Sequence, residues 1–400
     1  MTARALDPGS WEVLLARAAE AWGGSAEGAR LFFAPGRVNL FGAHLDYSGG
    51  PVLPGAIDRG TLVVGRPRDD GRLTLGTTLD ARRFDGRLGA LPKGPAGAWF
   101  DYPVGALAAL VGGRALAEGQ GLDLFFGGDL PVGAGLSSSA SISVVTALAA
   151  DALLGLGAGR LSWVAAALAG ERGFVGVQCG IMDPHAVGHA RPGHLLWLDC
   201  KDGTWEHVPL DPERAAYLVF DTGVQRELAK GEFNLRVAQC EQAFRALAPY
   251  QPGASCLRDI RAETLEREGH RLDPIVRSRA LHAVQEVERT FAARRHLEAG
   301  DLVAAGRLMF EAHASLRDLY EVSVPELDHL VALLEVEAGC FGARLTGAGF
   351  GGCVVALVEP GRVAELGARV AEGFQERFGR RAPFEAFAGD AGPRELSLAP

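Results

Sequence analysis

One segment constrains what this chain can fold into more than any other, a glycine-containing loop that leads into a run of serines. Residues 129–148 read DLPVGAGLSSSASISVVTAL. The apolar periodicity after the serines predicts a helix, whose first turn presents unpaired backbone N–H groups and the positive end of the helix dipole. Such a helix start binds phosphate, and the serine hydroxyls supply further hydrogen bonds or a ligand for Mg²⁺. The positions concerned are Gly133, Gly135, Ser137, Ser138 and Ser139.

The alternative interpretation of this segment is a serine-rich cap on a buried helix. A single serine fits that interpretation well, but the whole run fits it poorly. The loop lacks the Gly-Lys-Ser/Thr of a Walker P-loop, so phosphate binding of another kind is predicted.

Length and charge narrow the class of protein. A chain of 400 residues predicts two or three domains, and 48% hydrophobic with 22% charged residues is typical of a folded protein. The net charge of −9 would repel a nucleic acid, so no nucleic-acid partner is expected. We expect no membrane span either, because the longest apolar stretch, 142–156, is interrupted by Asp151 and is shorter than the roughly 20 residues required. Six scattered cysteines and a start without an export signal predict reduced thiols and a cytoplasmic location.

The periodicity along the chain predicts a two-lobed α+β protein. Short strands with Asp-Gly turns, typical of hairpins, are expected over 62–88. The region 202–212 combines Gly, Asp and Pro and is a plausible boundary between the halves. Helices are predicted at 11–21, 99–111, 139–156, 161–170, 231–247, 276–298, 325–338 and 362–378, and strands at 195–198, 216–220 and 353–358.

A second glycine-rich segment, LTGAGFGGCVVALV at 345–358, matches the dinucleotide-binding fingerprint literally. A dinucleotide-binding loop opens a helix, whereas this loop runs directly into a β-branched strand. We therefore predict a close-packed loop that supports the phosphate-binding loop, with a plain turn as the alternative, and no NAD-dependent dehydrogenase.

A third segment, APGRVNLFGAHLDYSGGPVLP at 34–54, concentrates polar groups between glycine and proline. Arg37, His44 and Asp46 lie within ten residues, which is too polar for a core strand. Each taken alone is typical of a solvated residue, but together they indicate a site that binds a polyol. The histidines at 185, 189 and 194 do not indicate zinc, because the glutamate of a typical zinc-helix motif is missing, and we expect them to be solvated or hydrogen-bonded.

These three segments resemble the motifs of the GHMP small-molecule kinases, and the segment at 34–54 is similar to that of the galactokinase branch. The resemblance continues through GFVGVQCGIMD at 173–183, GEFNLRVAQCEQAF at 231–244 and HASLRDLYEVSVPELDHL at 313–330, so it covers most of the chain. It implies a two-domain α+β fold with the active site in the cleft between the domains. Residues 1–205 would form an N-terminal domain of mixed strands and helices, and residues 206–400 a C-terminal domain like an α/β sandwich.

The resemblance also implies an activity, the transfer of a phosphoryl group from ATP, with Mg²⁺, to the anomeric hydroxyl of a sugar. Arg37 and Asp183 match the catalytic pair of the family. The sugar-binding positions are Ala43, His44, Asp46, Gly180 and Phe233. Glu171 and Ser139 match the Mg²⁺ site, and Trp99 and Tyr102 match an aromatic pair near the adenine, although aromatic residues at helical spacing are more often part of a core. The glycines and serines of 133–139 would bind the nucleotide phosphates.

Asp183 precedes Pro184, so the local sequence alone fits an N-cap followed by proline at the first helical position. The resemblance favours a catalytic role instead. We hypothesise that Asp183 orients the anomeric hydroxyl and accepts its proton late, while Arg37 stabilises charge on the γ-phosphoryl group.

Two sugar-binding positions depart from the family. Ala43 stands where galactokinases usually have Glu, and Phe233 where they often have Tyr, so two hydrogen-bonding groups are lost. The Gly-Ala-His at 42–44 is similar to the galacturonokinase branch. Galactose is the expected substrate, a uronic acid or another galacto-configured sugar is the alternative, and a monomer is expected. A non-catalytic sugar sensor is the alternative of another class, disfavoured because the serine run, Arg37, Glu171 and Asp183 are all present.

Overall fold

The computed structural model describes residues 6–131, 135–224 and 229–398, and these ranges contain twelve β-strands and eleven α-helices. The strands are β1 (Arg30–Phe41), β2 (Pro51–Arg68), β3 (Arg72–Thr77), β4 (Phe84–Arg87), β5 (Gly121–Gly128), β6 (His194–Asp199), β7 (Trp205–Pro209), β8 (Ala216–Asp221), β9 (Cys340–Thr346), β10 (Cys353–Val358), β11 (Phe384–Phe387) and β12 (Arg394–Leu396). The helices are α1 (Pro8–Ala21), α2 (Asp101–Val111), α3 (Ser138–Leu154), α4 (Gly159–Ala169), α5 (Met182–Gly188), α6 (Ala229–Leu247), α7 (Ala262–Glu268), α8 (Pro274–Glu298), α9 (Leu302–Asp318), α10 (Pro325–Glu335) and α11 (Val363–Phe378). A π-helical turn, Gly170–Val175, follows α4.

The first sheet forms the N-terminal lobe. Its strands lie in the order β12-β1-β2-β5-β3-β4, and β6 pairs with the start of β2 and with β7. β1 and β2 are buried along most of their length. Helices α2 to α5 pack on one face of this sheet and α1 contacts β5 on the other, while the end of β1 and the start of β2 share a core with the C-terminal lobe. The long β1–β2 pair therefore forms the rigid floor from which the site is built.

The second sheet belongs to the C-terminal lobe and is antiparallel, in the order β11-β8-β10-β9. The strand β10 is buried on both faces, which explains its unbroken apolar sequence. Helices α6, α8, α9, α10 and α11 pack around this sheet. The glycine-rich loop at 347–352 connects β9 to β10 and runs into a strand, as the sequence predicts.

The connection between β1 and β2 joins the two lobes. Ala43 and Leu45 of this connection and Val52 at the start of β2 belong to the core of the C-terminal lobe, which also contains Ala280 and Ala283 of α8. The polar residues of the third motif thus lie where the lobes meet.

The helices and strands predicted with individual bounds are present, and none of their ends is shifted by more than three residues. The hairpin expected at Asp70 and Gly71 is wrong, because β5 inserts between β2 and β3, and β3 pairs with β5 in parallel. Gly71 still makes the turn, with φ of 73°. Asp85 and Gly86 lie within β4 and do not form a turn.

The end of the chain returns to the first lobe. β12 pairs with Leu31, Phe32 and Phe33 of β1, and Gly389 forms an isolated bridge with Ile57. The boundary expected at 202–212 contains β7, which pairs with β6 of the first lobe. The division at residue 205 stays a prediction, and the lobes are not simple consecutive halves of the chain.

Two expectations concern the whole chain. Within the described ranges, no helix combines the length and apolar character that crossing a bilayer requires. The cysteines form no disulfide within the same ranges.

Candidate active site

The centre of the site is an ion pair between Arg37, on β1, and Asp183, on α5. Arg37 Nε and Nη2 donate to Asp183 Oδ1 and Oδ2, each at 2.8 Å. Arg37 Nη1 donates to the carbonyl of Gly135 at 2.6 Å, and the Arg37 N–H donates to the carbonyl of Leu136 at 3.1 Å. The Arg37 residue is only 4% exposed, so this arginine fixes the glycine loop and the carboxylate relative to each other.

Asp183 lies near the start of α5 but does not cap it. The helix begins at Met182 after Ile181, so the alternative interpretation, an N-cap at Asp183 with Pro184 in the first position, is wrong. The reason is the carboxylate's other partners, because Arg37 binds both oxygens and Ser137 Oγ donates to Oδ2 at 2.5 Å. A carboxylate so held is oriented for chemistry and is not used for capping.

The serine run begins α3, as predicted. Ser137 precedes the helix with φ of 61°, an unusual backbone conformation for a residue with a side chain, and its hydroxyl points to Asp183 and does not cap the helix. Ser138 and Ser139 lie half-buried in the first turn. Gly135 has φ of 82°, whereas Gly133 lies outside the described residues. The helix start therefore presents its first N–H groups beside Arg37 and Asp183.

Glu171 lies in the π-helical turn after α4 and is 4% exposed. Burial raises the pKa of this carboxyl to about 7, while a hydrogen bond from Ser139 acts in the opposite direction. Cys179 Sγ donates to Oε2 at 3.4 Å, and Oε1 is buried without a hydrogen-bond partner among the described residues. A carboxylate oxygen without a partner, next to a serine hydroxyl, is a donor set that suits Mg²⁺.

A cavity of about 140 Å³ opens beside the ion pair. The sequence-predicted residues that line it are Arg37, Ala43, His44, Asp46, Gly180, Asp183 and Phe233. Gly180 has to be glycine, because a Cβ there would collide with Asp46 Oδ2. The structure thus brings the predicted catalytic pair and all five predicted sugar positions into one cavity.

Burial shifts the pKa values of Asp46 and His44 away from those of free side chains, and it shifts them in opposite directions. Burial and, after it, the charge of Asp183 raise the pKa of Asp46 to about 6. Burial, followed by the neighbouring His282 and Arg344, lowers the pKa of His44 to about 3, so its imidazole is neutral at pH 7. The Nδ1 atom of His44 is 2.8 Å from the Tyr47 hydroxyl, which in turn lies 2.7 Å from the Tyr320 hydroxyl.

Trp99 and Tyr102, the predicted aromatic pair, are not among the residues that line this cavity. Tyr102 lies near Glu171, whose charge adds to burial in raising the pKa of the phenol. Trp99 packs against Phe100 and Phe126 at the edge of the N-terminal core, and its Nε1 donates to the carbonyl of Arg82 at 2.9 Å. The adenine role of Trp99 and Tyr102 stays a prediction.

The sequence analysis missed several residues of the cavity. Asn39, Met182 and Cys179 line it, as do Gly347 and Ala348 from the second glycine-rich segment. The Oδ1 atom of Asn39 is buried without a hydrogen-bond partner in the described part of the chain, and so is available to a ligand. The sequence does contain a signal for Asn39. It lies two residues after Arg37 in a strand, so the two side chains are on the same face of β1.

Two of the histidines after Asp183 differ from the expectation of solvated or hydrogen-bonded side chains. His185 Nδ1 and His189 Nε2 are buried and make no hydrogen bond within the described ranges. The His189 ring stacks on Trp205 with ring centroids 4.4 Å apart. His194 Nδ1 is 2.8 Å from the carbonyl of Pro192. The residues that the structure describes contain no cluster of three metal-ligating side chains.

Three sequence models match this chain. The galactokinase galactose-binding signature matches residues 19–67, the GHMP kinase N-terminal domain residues 101–191, and the GHMP kinase C-terminal region residues 293–376. The first match contains Arg37, His44 and Asp46. The second contains the serine run, Glu171 and Asp183.

Relatives of known identity cover nearly the whole chain. The galactokinase of Roseiflexus sp. is 42% identical over 352 residues, which are 87% of this chain and 88% of that protein. The galactokinase of Enterococcus faecalis is 37% identical over 388 residues, 96% of this chain and 99% of that protein. The crystal structure of Lactococcus lactis galactokinase in complex with galactose superposes with a TM-score of 0.91 at 32% identity, covering 96% of this chain and all of that one. A mevalonate kinase from Methanococcus jannaschii shares the fold with a TM-score of 0.64 at 18% identity.

Proposed function

Since the chain belongs to the galactokinase family of the GHMP kinases, we propose that it transfers the γ-phosphoryl group of ATP to the anomeric hydroxyl of galactose. The products are galactose 1-phosphate and ADP. The observation that supports this most directly is the bidentate Arg37–Asp183 pair that lines a small cavity. The two-domain α+β GHMP kinase fold predicted from the sequence is confirmed.

The reaction needs one acceptor oxygen, one leaving oxygen and a place for one proton. The anomeric oxygen forms a bond to the γ-phosphorus while the bond from that phosphorus to the bridging oxygen of ADP breaks. Because the transition state of phosphoryl transfer is loose, the hydroxyl proton leaves late, and Asp183 accepts it. Arg37 holds Asp183 in place and neutralises charge on the transferred group.

We assign the nucleotide phosphates to the start of α3, where Ser137, Ser138 and Ser139 begin the helix. Gly133 and Gly135 belong to the loop before it. When Mg²⁺ is bound, it neutralises phosphate oxygens, and Glu171 and Ser139 are the residues that would hold it. Tyr102 lies on the same side as Glu171 and is assigned to the nucleotide with Trp99.

The cavity favours a neutral sugar over a uronic acid. Its described lining contains one arginine, Arg37, whose charge is assigned here to Asp183 and to the transferred phosphoryl group. A sugar carboxylate would therefore meet Asp46 and Asp183 without a cation of its own. Ala43 and Phe233 offer apolar surface where two polar contacts are usual. We therefore expect weaker binding of galactose and an unchanged phosphoryl-transfer reaction.

The test is ADP release, coupled to a reporter reaction, with Mg-ATP and a panel of sugars. The panel contains galactose, galacturonate, glucuronate, arabinose, N-acetylgalactosamine and glucose, with Asp183→Asn as the blank. We expect galactose to be turned over fastest and the variant to lose at least about 100-fold in kcat. A clear preference for galacturonate would make the protein a uronic acid kinase, and silence across the panel would support the sensor.

A further inference from the structure

The backbone of the sugar-binding corner is held by a helix that contributes nothing to the cavity. The Oε1 atom of Glu286, on α8, accepts hydrogen bonds from the N–H of Gly42 at 3.0 Å and from the N–H of Ala43 at 3.3 Å. One turn earlier on α8, His282 Nε2 lies 3.3 Å from the carbonyl of Ala43. Glu286 and His282 therefore contact both polar groups of the Ala43 backbone.

Glu286 is fully buried and carries a charge. Its side chain is 0% exposed, Arg289 Nε donates to its Oε2 at 2.8 Å, and Arg344 Nη1 lies 3.7 Å from its Oε1. Burial works against the ionised form, but the charges of Arg289, His282 and Arg344 outweigh it and lower the pKa of Glu286. Burying an ion pair costs desolvation free energy, and apolar residues of similar volume often stabilise a fold as well or better. The carboxylate thus calls for an explanation beyond core packing.

The backbone that Glu286 holds is unusual. Gly42 has φ of 81°, and a Cβ there would collide with the carbonyl oxygen of Pro51. His44 has φ of 59°, a left-handed conformation that is costly for a residue with a side chain. Such a backbone persists only when its surroundings fix it, and the two N–H bonds to Glu286 lie directly before His44.

The same backbone sets the shape of the sugar cavity. Ala43 and His44 line it, and Asp46 follows two residues later. Arg344, which lies beside Glu286, also donates to the carbonyl of Leu40 at 3.2 Å, so the network reaches back to the end of β1. A change at Glu286 would move His44 and Asp46 relative to a bound sugar and leave the serine run untouched.

We propose that Glu286, assisted by His282, is a positioning residue for the sugar, acting from the C-terminal lobe through the amides of Gly42 and Ala43. This inference rests on the proposed function, in that the cavity is taken to bind a sugar. Glu286 touches neither the sugar nor the nucleotide in this assignment. Its loss should weaken sugar binding selectively.

The test compares sugar and nucleotide in the full-length Glu286→Gln variant. The amide keeps the size of the side chain but removes the charge and turns an N–H group toward Arg289 or the Gly42 amide. We expect the KM for galactose to rise about tenfold or more, because hydrogen bonds to a charged group are lost, while the KM for Mg-ATP stays within about twofold. At a galactose concentration near the wild-type KM, we also expect the rise in Tm caused by galactose to shrink to a small fraction of the wild-type rise, while the rise caused by ADP is retained.

Glu288→Gln is the matched control, an identical chemical change on the same helix at an exposed position. Parallel loss of the galactose and ADP effects in Glu286→Gln, or an unchanged KM for galactose, overturns the proposal. If that variant does not fold, Glu286→Asp decides, because it keeps the negative charge between the arginines but shortens the reach to the amides. If neither folds, Glu286 is a stability residue and the proposal fails.

The proposed function fails separately. If the wild type neither turns over galactose nor gains stability from it, the cavity is not a galactose site. In that case the same Tm comparison is made with the sugar of the panel that does stabilise the wild type, and lack of any such sugar overturns both proposals.

Discussion

The side chain of Arg37 holds two groups at once, the Asp183 carboxylate and the carbonyl of Gly135. Its guanidinium binds both oxygens of Asp183 and the carbonyl of Gly135, and its own amide binds the carbonyl of Leu136. A lysine carries the same charge but presents it as a point with no fixed fork. The geometry of Arg37 therefore matters as much as its charge.

We expect Arg37→Lys to lower kcat by about 10² to 10³-fold, because the ammonium cannot hold the carboxylate and the loop together. Steady-state kinetics with saturating galactose and Mg-ATP measure this. Arg17→Lys, on the exposed face of α1, serves as the control. A kcat for Arg37→Lys within about threefold of the wild type would show that charge alone suffices.

Glu171 links the metal site to stability. Its pKa in the folded protein is about 7, against an ordinary value of 4.5, so the folded protein binds a proton that the unfolded chain has released between these two pH values. The stability that this group contributes is complete below pH 4.5 and is lost as the pH rises through 7. Asp46, with a pKa of about 6, acts in the same direction.

The metal-free protein should therefore become less stable between pH 5 and pH 8, and Glu171→Gln should reduce that loss by on the order of 1–3 kcal/mol. Urea unfolding in EDTA at several pH values measures it. Glu12→Gln, exposed on α1, controls for an acid of ordinary environment. An identical pH dependence in Glu171→Gln and the wild type would contradict the prediction.

Among the elements, β12 is the short strand that covers the edge of the first sheet. Its three residues complete the edge of the first sheet beside β1, and Arg30 binds both oxygens of Glu395 at 2.7 and 2.6 Å. The Arg394 guanidinium lies 4.9 Å from the centre of the Phe33 ring. Removing the strand leaves the N–H and C=O groups of β1 unpaired, and an exposed edge of this kind promotes association.

Deleting residues 393–400 should lower the free energy of unfolding by about 2–4 kcal/mol, because ladder hydrogen bonds and packing on β1 are lost together. Glu395→Gln, which removes only the half-exposed ion pair, should cost less than about 1 kcal/mol. Chemical denaturation and light scattering test both. Equal effects of the two changes would mean that the ion pair, and not the strand, is what stabilises this edge.

At the scale of the whole molecule, the large exposed apolar side chains of the described residues are distributed over different elements. Val13, Leu79, Leu161, Ile275 and Val303 are the most exposed of these besides Val336, and each lies on a different element or loop. Scattered residues of this kind do not form the contiguous patch that a stable interface needs. Light scattering coupled to size exclusion should therefore give a monomer of 42.1 kDa, and a dimer at micromolar concentration would contradict this.

The sequence predicted what is local. The glycines, the serine run and the apolar periodicity all lie within residues 129–148. The helix after residue 137 could therefore be located, and phosphate binding at its start could be proposed. The partner of Arg37 lies 146 residues away, and only the family resemblance indicated it. The Asp70-Gly71 turn was interpreted as a hairpin because no local signal announces that β5, fifty residues later, inserts beside β2.

Glu286 shows where such reasoning ends. In sequence it is one more acid on an amphipathic helix, indistinguishable from Glu288 two residues on. Only the fold reveals that one is fully buried against the amides of Gly42 and Ala43 while the other is exposed. Burial of a charge depends on how α8 sits on the third motif, and that contact spans more than 240 residues.

The return of the last strand to the first sheet has a consequence for how the protein is made. A ribosome synthesises a chain from its N-terminus, so β1 emerges early, whereas Glu395 of the strand that covers its edge follows Arg30 by 365 residues. Until those residues have emerged, the nascent first lobe carries an open edge. The edge of β1 therefore stays open to association throughout that interval.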